Sequence, residues 1–451
     1  MKKQTFFRLL ALALAALMLM PTLAACGSDE EGQLVVRYLN FKPEIADKYQ
    51  RLADLYEQKT GVKVVVETAA NNTYEQTLAA KMATKDAPTL FQINGPRGYA
   101  SWKDYCADLS GTELYQHLAD KDMAVKDGAK VVGIPYVVEG YGIIYNTALT
   151  DRYFALEDRQ KEVNSMEKVT SFDALKTVVE DMQKHTGDLG IDGVFASTSL
   201  KAGEDWRWQT HLLNIPLHYE FTEGEIDLTD KNALNKIDFA HSDRFRAIFD
   251  LYLNNSVTDK TLVGSKTVVD SMSEFALERC VMVQNGNWAW SQIKDVSGNK
   301  VKEENIRFLP IYTGGEDDKS QGLAVGTENY YAINSQASEE QQKAAAEFAY
   351  WMYSDNEAKK IVTEELGFIA PFDTFSEEQT PNDPLARQVA EWMNREEVVT
   401  IPWHFTLFPS ARFKEDFGAS LLKYAQGNKD WDAVVADMKA GWERESAAAN
   451  R

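Results

Sequence analysis

The sequence predicts an α/β protein of two lobes, and three observations carry that reading. The chain has 451 residues, more than a single compact core usually holds. Hydrophobic residues at 44% and charged residues at 26% are the balance of a globular chain that folds in water. From Leu34 to Asn94 buried-strand patterns alternate with amphipathic-helix patterns, which argues parallel sheets joined by right-handed crossovers.

The first residues stand apart from this body. "MKKQTFFR" is basic, and Leu9 to Met20 is an unbroken apolar stretch too short to span a bilayer comfortably. It ends in "LAAC", Leu23 to Cys26, ahead of a polar stretch, which resembles the lipobox of bacterial lipoproteins. That resemblance implies a signal peptide over 1–25, a lipid on Cys26, and a solvated tether over 26–32. The anchor would then hold the body at the extracellular face of the cell membrane. Losing Lys2, Lys3 and Arg8 with the leader takes the formal charge from −21 to −24, three cations and no acid being removed. So acidic a body repels nucleic acid and anionic lipid heads. Only Cys106 and Cys280 remain after Cys26, which excludes a disulfide framework and favours two buried thiols.

Each element follows from its pattern. "LVVRYLN" (34–40) is a buried strand. Ile45, Tyr49, Leu52 and Tyr56 then mark one face of a helix that Gly61 ends. "VKVVVET", a helix from "TYEQTLAAKMATKDAP", and "TLFQIN" continue the alternation. "GIPYVVEGYGIIYN" (133–146) is extended and punctuated by glycines. A capped helix runs from Ser171 towards Gly187. Residues 205–254 are helical and rich in aromatics. "SMSEFALERCVMVQNGNWAW" is a helix feeding a strand, whose alternation would put Trp288 and Trp290 on one face. "IRFLPIY" and "ENYYAIN" are strands, "TGGEDDKSQG" between them is a polar loop, and helices follow from "SEEQQKAAAEFAYWMYSD" and "WDAVVADMKAGWERESAAA".

Catalytic motifs are scarce. His117, His185, His211, His218, His241 and His404 form no recognised metal spacing, and no G-x-S-x-G elbow is present. "VGSKT" lacks the spacing of a phosphate loop. Among 69 acidic residues some pair will always suit glycoside hydrolysis, so that chemistry is neither supported nor excluded. No cofactor or metal is expected.

Several separated motifs, in order, resemble the extracellular solute-binding proteins of ABC importers, and within them the family that includes the maltodextrin-binding proteins. They are "YEQKTGVKVVVE", "KDAPTLFQINGPRGYA", "GIPYVVEGYGIIYNTAL", "SFDALKTVVEDM", "FALERCVMVQNGNWAW", "FLPIY", and "ASEEQQKAAAEFAYWMYSDNEA" ahead of "GFIAPF". The resemblance implies a two-lobed, periplasmic-binding-protein-like α/β fold with three interlobe crossings, near 139–141, 309–311 and 367–371. One lobe would comprise 33–138 and 312–366, the other 142–308 and 372–447. It also implies a monomeric binding protein rather than an enzyme. Its partners would be an oligosaccharide, permease subunits and, through them, ATPase subunits. A polyol, a glycerol phosphate or a peptide is the alternative solute. A surface glycoside hydrolase or an adhesive lipoprotein is the alternative class.

The same resemblance implies site residues. "NGNWAW" is similar to the segment whose first tryptophan stacks on a sugar, here Trp288, with Trp290 packing behind it. "VVEGYG" matches the first crossing, with Glu139 accepting hydroxyl donors and Tyr141 beside it. "GEDWRWQ" points to Glu204 and Trp206, ahead of Trp208. "FQINGPRGYA" places Asn94 and Arg97 at the sugar's polar edge, where the family's usual acid is missing. Asn40 and Phe41, ending the first strand, join them as weaker candidates, as do Glu328 with Asn329, Phe372, and Trp403.

Overall fold

The computed structural model describes residues 34–69, 73–228, 232–376, 378–379 and 381–449. The expected leader, Cys26 and the tether lie outside them. Eleven strands are described: β1 (Val35–Asn40), β2 (Lys63–Thr68), β3 (Leu90–Asn94), β4 (Val125–Asp127), β5 (Lys130–Pro135), β6 (Glu139–Asn146), β7 (Met282–Gly286), β8 (Ile306–Leu309), β9 (Gln321–Gly326), β10 (Asn329–Ile333) and β11 (Val399–Pro402).

The strands divide into two sheets, one for each lobe. The first has the order β2-β1-β3-β10-β5-β4 and the second β11-β9-β6-β7, with β8 also on β6. In the first, β1 runs parallel to β2 and β3, with Val35 opposite Lys63, as the strand–helix alternation demands. The connecting helix, Ala46–Thr60, buries Tyr49, Leu52, Ala53 and Tyr56. It stops at Gly61 in the left-handed conformation (φ 77), whose N–H donates to the Glu57 carbonyl.

The expectation of parallel sheets needs correction. β10 is antiparallel to both β3 and β5, and β6 is antiparallel to β7, β8 and β9. β10 enters the first sheet directly from β9 of the second, and β6 enters the second from β5 of the first, so no strand–helix–strand crossover sets either one parallel to its neighbours. The expected 312–366 unit is likewise divided. β9 hydrogen-bonds into the second sheet and β10 into the first, so the chain passes between sheets at Thr327–Glu328 rather than at 309–311.

Phe372, expected in the second lobe, packs at 4.5 Å on Tyr353 and bridges Leu118, in the first core. That core is held by Tyr38, Tyr49, Tyr331 and Phe348, and the second by Tyr141, Phe245, Phe249 and Trp442. Ser171 caps its helix through the Ala174 N–H as expected. The regular helix ends at Met182, however, and the left-handed glycine is Gly190 rather than Gly187. Cys106 and Cys280 are free thiols, Cys280 fully buried. Among the described residues no helix is long and apolar enough to cross a membrane.

Candidate functional site

β7 ends at Gly286, and the turn that follows builds the site. Asn287 clamps it to β6: its backbone N–H donates to the Gly140 carbonyl, and its Oδ1 accepts the Gly140 N–H at 2.9 Å. Trp288 then folds back over Gly286, where a Cβ would lie 2.1 Å from the indole, so only glycine fits under the ring. Trp288 opens the short helix Ala289–Lys294 with φ −58, which is not strand geometry. Strand alternation therefore stops short of the two tryptophans, correcting the expectation of a shared strand face. Trp290 packs on a satellite core of Phe275, Val283 and Val389 and also lines a cavity of about 230 Å³ beside Trp288, Lys42 and Glu139.

Trp288 is the centre of an aromatic cluster, in which it and Trp206 are partly exposed and the other rings are buried. Its ring centroid lies 6.0 Å from Tyr141, 6.0 Å from Trp206, 5.9 Å from His211 and 6.4 Å from Trp403. Phe405 closes the group, 4.5 Å from His211 and 5.0 Å from Trp403. His211 and Phe405 were not singled out from sequence. His211 sits in a π-helical segment, Arg207–Leu212, a geometry frequent at functional sites and invisible to a 3.6-residue period. Arg207 pins that segment to β7 by donating to the Gln284 carbonyl, while the Gln284 amide donates to the Arg207 carbonyl and the Tyr141 hydroxyl. Burial pushes the His211 imidazole down to about 3, against the pull of the Trp206 carbonyl, so the ring is neutral. The Trp206 carbonyl is the one polar group drawn to the His211 ring and makes no well-formed hydrogen bond with it, and the Trp403 indole N–H has no partner, although both side chains are over nine-tenths buried.

Across from the indoles stands a charged edge. Asn40 shapes the turn after β1: its amide donates to the Lys42 carbonyl at 2.8 Å and its Oδ1 accepts the Lys42 N–H. Lys42 is thereby aimed at Glu139, with Nζ 2.6 Å from Oε1 and 5.6 Å above the Trp288 ring. Burial opposes the Lys42 charge, but Glu139, Glu44 and Glu328 outweigh it and hold its pKa above the usual lysine value. Glu328, in the link from β9 to β10, accepts the Asn94 amide at 2.7 Å. Burial raises its pKa, which Lys414 opposes.

The lobes meet beside this pair, where Gly95 lies so close to Thr406 that a Cβ would approach to 2.8 Å. Arg97, on the same helix, is half-buried and its pKa is lowered by that burial. Phe41 is half-buried edge-on to Tyr74, a supporting position next to Lys42.

The structure thus brings Trp288, Trp206, Tyr141 and Trp403 together, faces them with Glu139, and places Asn94 with Glu328 on the neighbouring link. Two expected residues stand apart from this group. Glu204 accepts the Val268 N–H at 3.2 Å at the start of helix Val268–Ala276, away from the ring cluster. Phe372 belongs to the first core. Lys42 has no spacing signal in the sequence, being a single charged residue after a strand, and only the structure puts it over the Trp288 ring.

Chemically, the arrangement offers a broad apolar floor beside carboxylate, ammonium and amide groups. Such a floor suits a flat C–H face, and such an edge suits hydroxyls. Among the described residues no cluster of three or more His, Cys, Asp or Glu could hold a metal.

Comparison with known proteins agrees with this architecture. The family model described as bacterial extracellular solute-binding protein matches residues 51–388. No curated protein matches the chain. Among solved structures, the solute-binding protein RafE in complex with raffinose is 17% identical, with a TM-score of 0.68, covering 92% of this chain and 100% of its own. A chitin oligosaccharide binding protein is 18% identical, with a TM-score of 0.67 and coverage of 92% and 100%. The GacH receptor of Streptomyces glaucescens, solved with acarbose, is 18% identical, with a TM-score of 0.67 and coverage of 92% and 98%. At these identities the likeness is one of fold, and the family match spans most of the chain: the protein belongs to the bacterial extracellular solute-binding proteins.

Proposed function

We propose that this protein captures an oligosaccharide between its lobes and hands it to the permease of an ABC importer, without chemical change to the sugar. The observation that carries the reading is the aromatic floor of Trp288, Trp206, Tyr141 and Trp403 set against the buried Lys42–Glu139 pair. A pyranose presents one face of C–H groups and an edge of hydroxyls, and that pair of surfaces matches both. Stacking one sugar face on one indole contributes on the order of 1–3 kcal/mol. The ligands named for RafE, GacH and the chitin oligosaccharide binding protein support a saccharide over other solutes. Glu44, Glu139 and Glu328 around a single Lys42 disfavour a glycerol phosphate.

In this reading the contacts come from Trp288, Trp206, Tyr141, Trp403, Glu139, Asn94, Arg97 and Glu328, with Asn40 and Phe41 supporting Lys42. A lipid on Cys26 tethers a monomer at the outer face of the membrane. The lobes close over the sugar, and the closed form is the one the permease receives. The test is a thermal-shift and tryptophan-fluorescence screen of the protein against mono- and oligosaccharides. A ligand at 100 times its dissociation constant stabilises the fold by about 2.7 kcal/mol. A response to one glycan series, absent in Trp288→Ala and without consumption of the sugar, is expected. Silence towards every sugar with a response to peptides or polyols would overturn the carbohydrate reading, and turnover would point to a hydrolase.

A further inference from the structure

The lobes touch beside the site in two ways, one polar and one steric. Lys42 of the first lobe reaches over the Trp288 ring of the second, a contact that a flexible side chain can adjust. Gly95 and Thr406 make the other. Gly95 opens helix Gly95–Trp102, whose Tyr99 and Trp102 pack in the first lobe. Thr406 lies in the turn Phe405–Leu407, part of the second core. Gly95 has φ 57, the left-handed region that favours glycine. A Cβ built there would lie 2.8 Å from the Thr406 Cβ, 3.3 Å from its Cγ2 and 3.5 Å from its Oγ1. The first distance is well inside van der Waals contact, so the lobes approach as near as only glycine permits.

Both sides of this contact are rigid. On the first lobe Gly98 packs on the Ile93 backbone, where a Cβ would meet it at 3.2 Å, and this seats the helix on β3. On the second, the fully buried Asn214 accepts the His404 and Phe405 N–H groups at 2.6 and 3.2 Å and donates to the Pro402 carbonyl at 3.0 Å. The Leu407 N–H closes the turn on the His404 carbonyl at 2.8 Å. Close-packed surfaces of this kind resist compression, so contact here halts further approach.

Only a few residues separate the contact from the site on either side. Asn94, which holds Glu328, precedes Gly95, and Arg97 follows on the same helix. Trp403 and Phe405 of the ring cluster come just before Thr406. The spacing at Gly95–Thr406 is therefore carried to the distance between the polar edge and the rings. We propose that Gly95 and Thr406 form a steric stop that fixes how far the lobes close, and so determines how thick a solute the closed site holds. Both are positioning residues, acting through the elements that carry the site. The proposal takes the identity of the solute from the saccharide reading above.

Three single variants test it. Thr406→Leu adds bulk at the stop, Thr406→Ser keeps the Cβ and the hydroxyl, and Gly98→Ala crowds Ile93 inside the first lobe alone. Titration calorimetry with raffinose, maltotriose and chitotriose, and small-angle scattering of the free and sugar-bound forms, compare them with the wild type. Thr406→Leu is expected to bind the wild type's sugar at least about tenfold more weakly, because its closed form is less populated, and to keep a larger radius of gyration when bound. Thr406→Ser keeps wild-type values, and Gly98→Ala lowers the melting temperature without changing either. A double variant, Gly95→Cys with Thr406→Cys, tests the contact without a solute. A disulfide needs Cβ atoms about 3.5–4.5 Å apart, which a slight opening supplies. Under mild oxidation the pair should cross-link in the free protein, and faster with sugar bound. Wild-type affinity and scattering in Thr406→Leu overturn the inference, and so does a double variant that fails to cross-link with or without sugar. Silence towards every sugar sinks the saccharide reading, and cross-linking of the free protein then decides the stop alone.

Discussion

The two lobes each contain a dense aromatic group, and the groups differ in one respect that separates a core from a site. In the first lobe Tyr38, Tyr49, Tyr331 and Tyr353 meet around a chain of hydroxyls. Tyr49 and Tyr331 are 3.3 Å apart at their oxygens, Tyr331 and Tyr353 3.4 Å, and Gln92 donates to Tyr38 at 3.0 Å. Burial holds Tyr38, Tyr49 and Tyr353 well above the usual phenol pKa, and only the Tyr136 hydroxyl stacked on this group lacks a partner. In the second lobe the group around Trp288 leaves the His211 ring without a well-formed hydrogen bond and the Trp403 N–H unpartnered, keeps Trp206 and Trp288 only partly buried, and is edged by charge. Buried polar atoms are nearly always satisfied in a finished core. Unmet hydrogen-bonding capacity next to two partly exposed indoles is what sets this group apart from a finished core.

The widest way to break this comparison is to truncate one ring from each group. Tyr331→Ala removes the hub of the first group and should cost about 3–5 kcal/mol of stability, as buried aromatic truncations do. Trp288→Ala removes a half-exposed ring and should cost about 1–2 kcal/mol. Its larger effect should fall on saccharide binding, weakened by about 1–3 kcal/mol, or roughly tenfold to a hundredfold. Denaturant midpoints and titration calorimetry on both variants check this. A Trp288→Ala protein as unstable as Tyr331→Ala, with binding intact, would make the second group an ordinary core.

A smaller effect sharpens the role of the unpartnered atoms. His211 has a folded-state pKa of about 3 against 6.5 for the free group. The unfolded chain therefore takes up a proton that the folded chain refuses. Stability from the neutral ring is fully present above pH 6.5 and is lost as pH falls towards 3. His211→Phe keeps a ring of similar size and removes both the titration and the unmet nitrogens. Its melting temperature should exceed that of the wild type by a margin that grows from pH 7 to pH 4, while saccharide affinity falls. A margin independent of pH would mean that the imidazole is solvated in the free protein.

How much of this was legible beforehand depends on whether the signal was local. The alternation from Leu34 to Asn94, the Gly61 stop and the Ser171 cap are short-range patterns with a direct physical cause, and each stands in the structure. Trp288 was legible as part of a motif. Its geometry was not, because Gly286 ends the strand two residues earlier than alternation assumes. β9 and β11 pair parallel across a long separation in sequence, Val399 opposite Gln321; β9 is interrupted by Gly322 and Gly326 and β11 has only four residues, so neither announces itself. That is why the second crossing was placed too early. Lys42 is a single charge on a turn, and only the fold brings it to the Trp288 indole.

The smallest effect tests the line between a ligand contact and a residue that supports one. Glu204 lies two positions before Trp206, and a motif reading makes both face the sugar. In the structure the Glu204 carboxylate instead accepts the Val268 N–H, at the positive end of helix Val268–Ala276, whose own capping box is formed by Thr267 and Asp270. One acceptor among several at an already capped helix end contributes about 0.5–1 kcal/mol. Glu204→Gln should therefore lower the melting temperature slightly and leave saccharide affinity unchanged, in contrast to Glu139→Gln, which loses the partner of Lys42. Calorimetric titration of the two variants side by side reads the difference. Equal losses of affinity would return Glu204 to the binding surface and move the edge of the site from Trp206 towards the start of that helix.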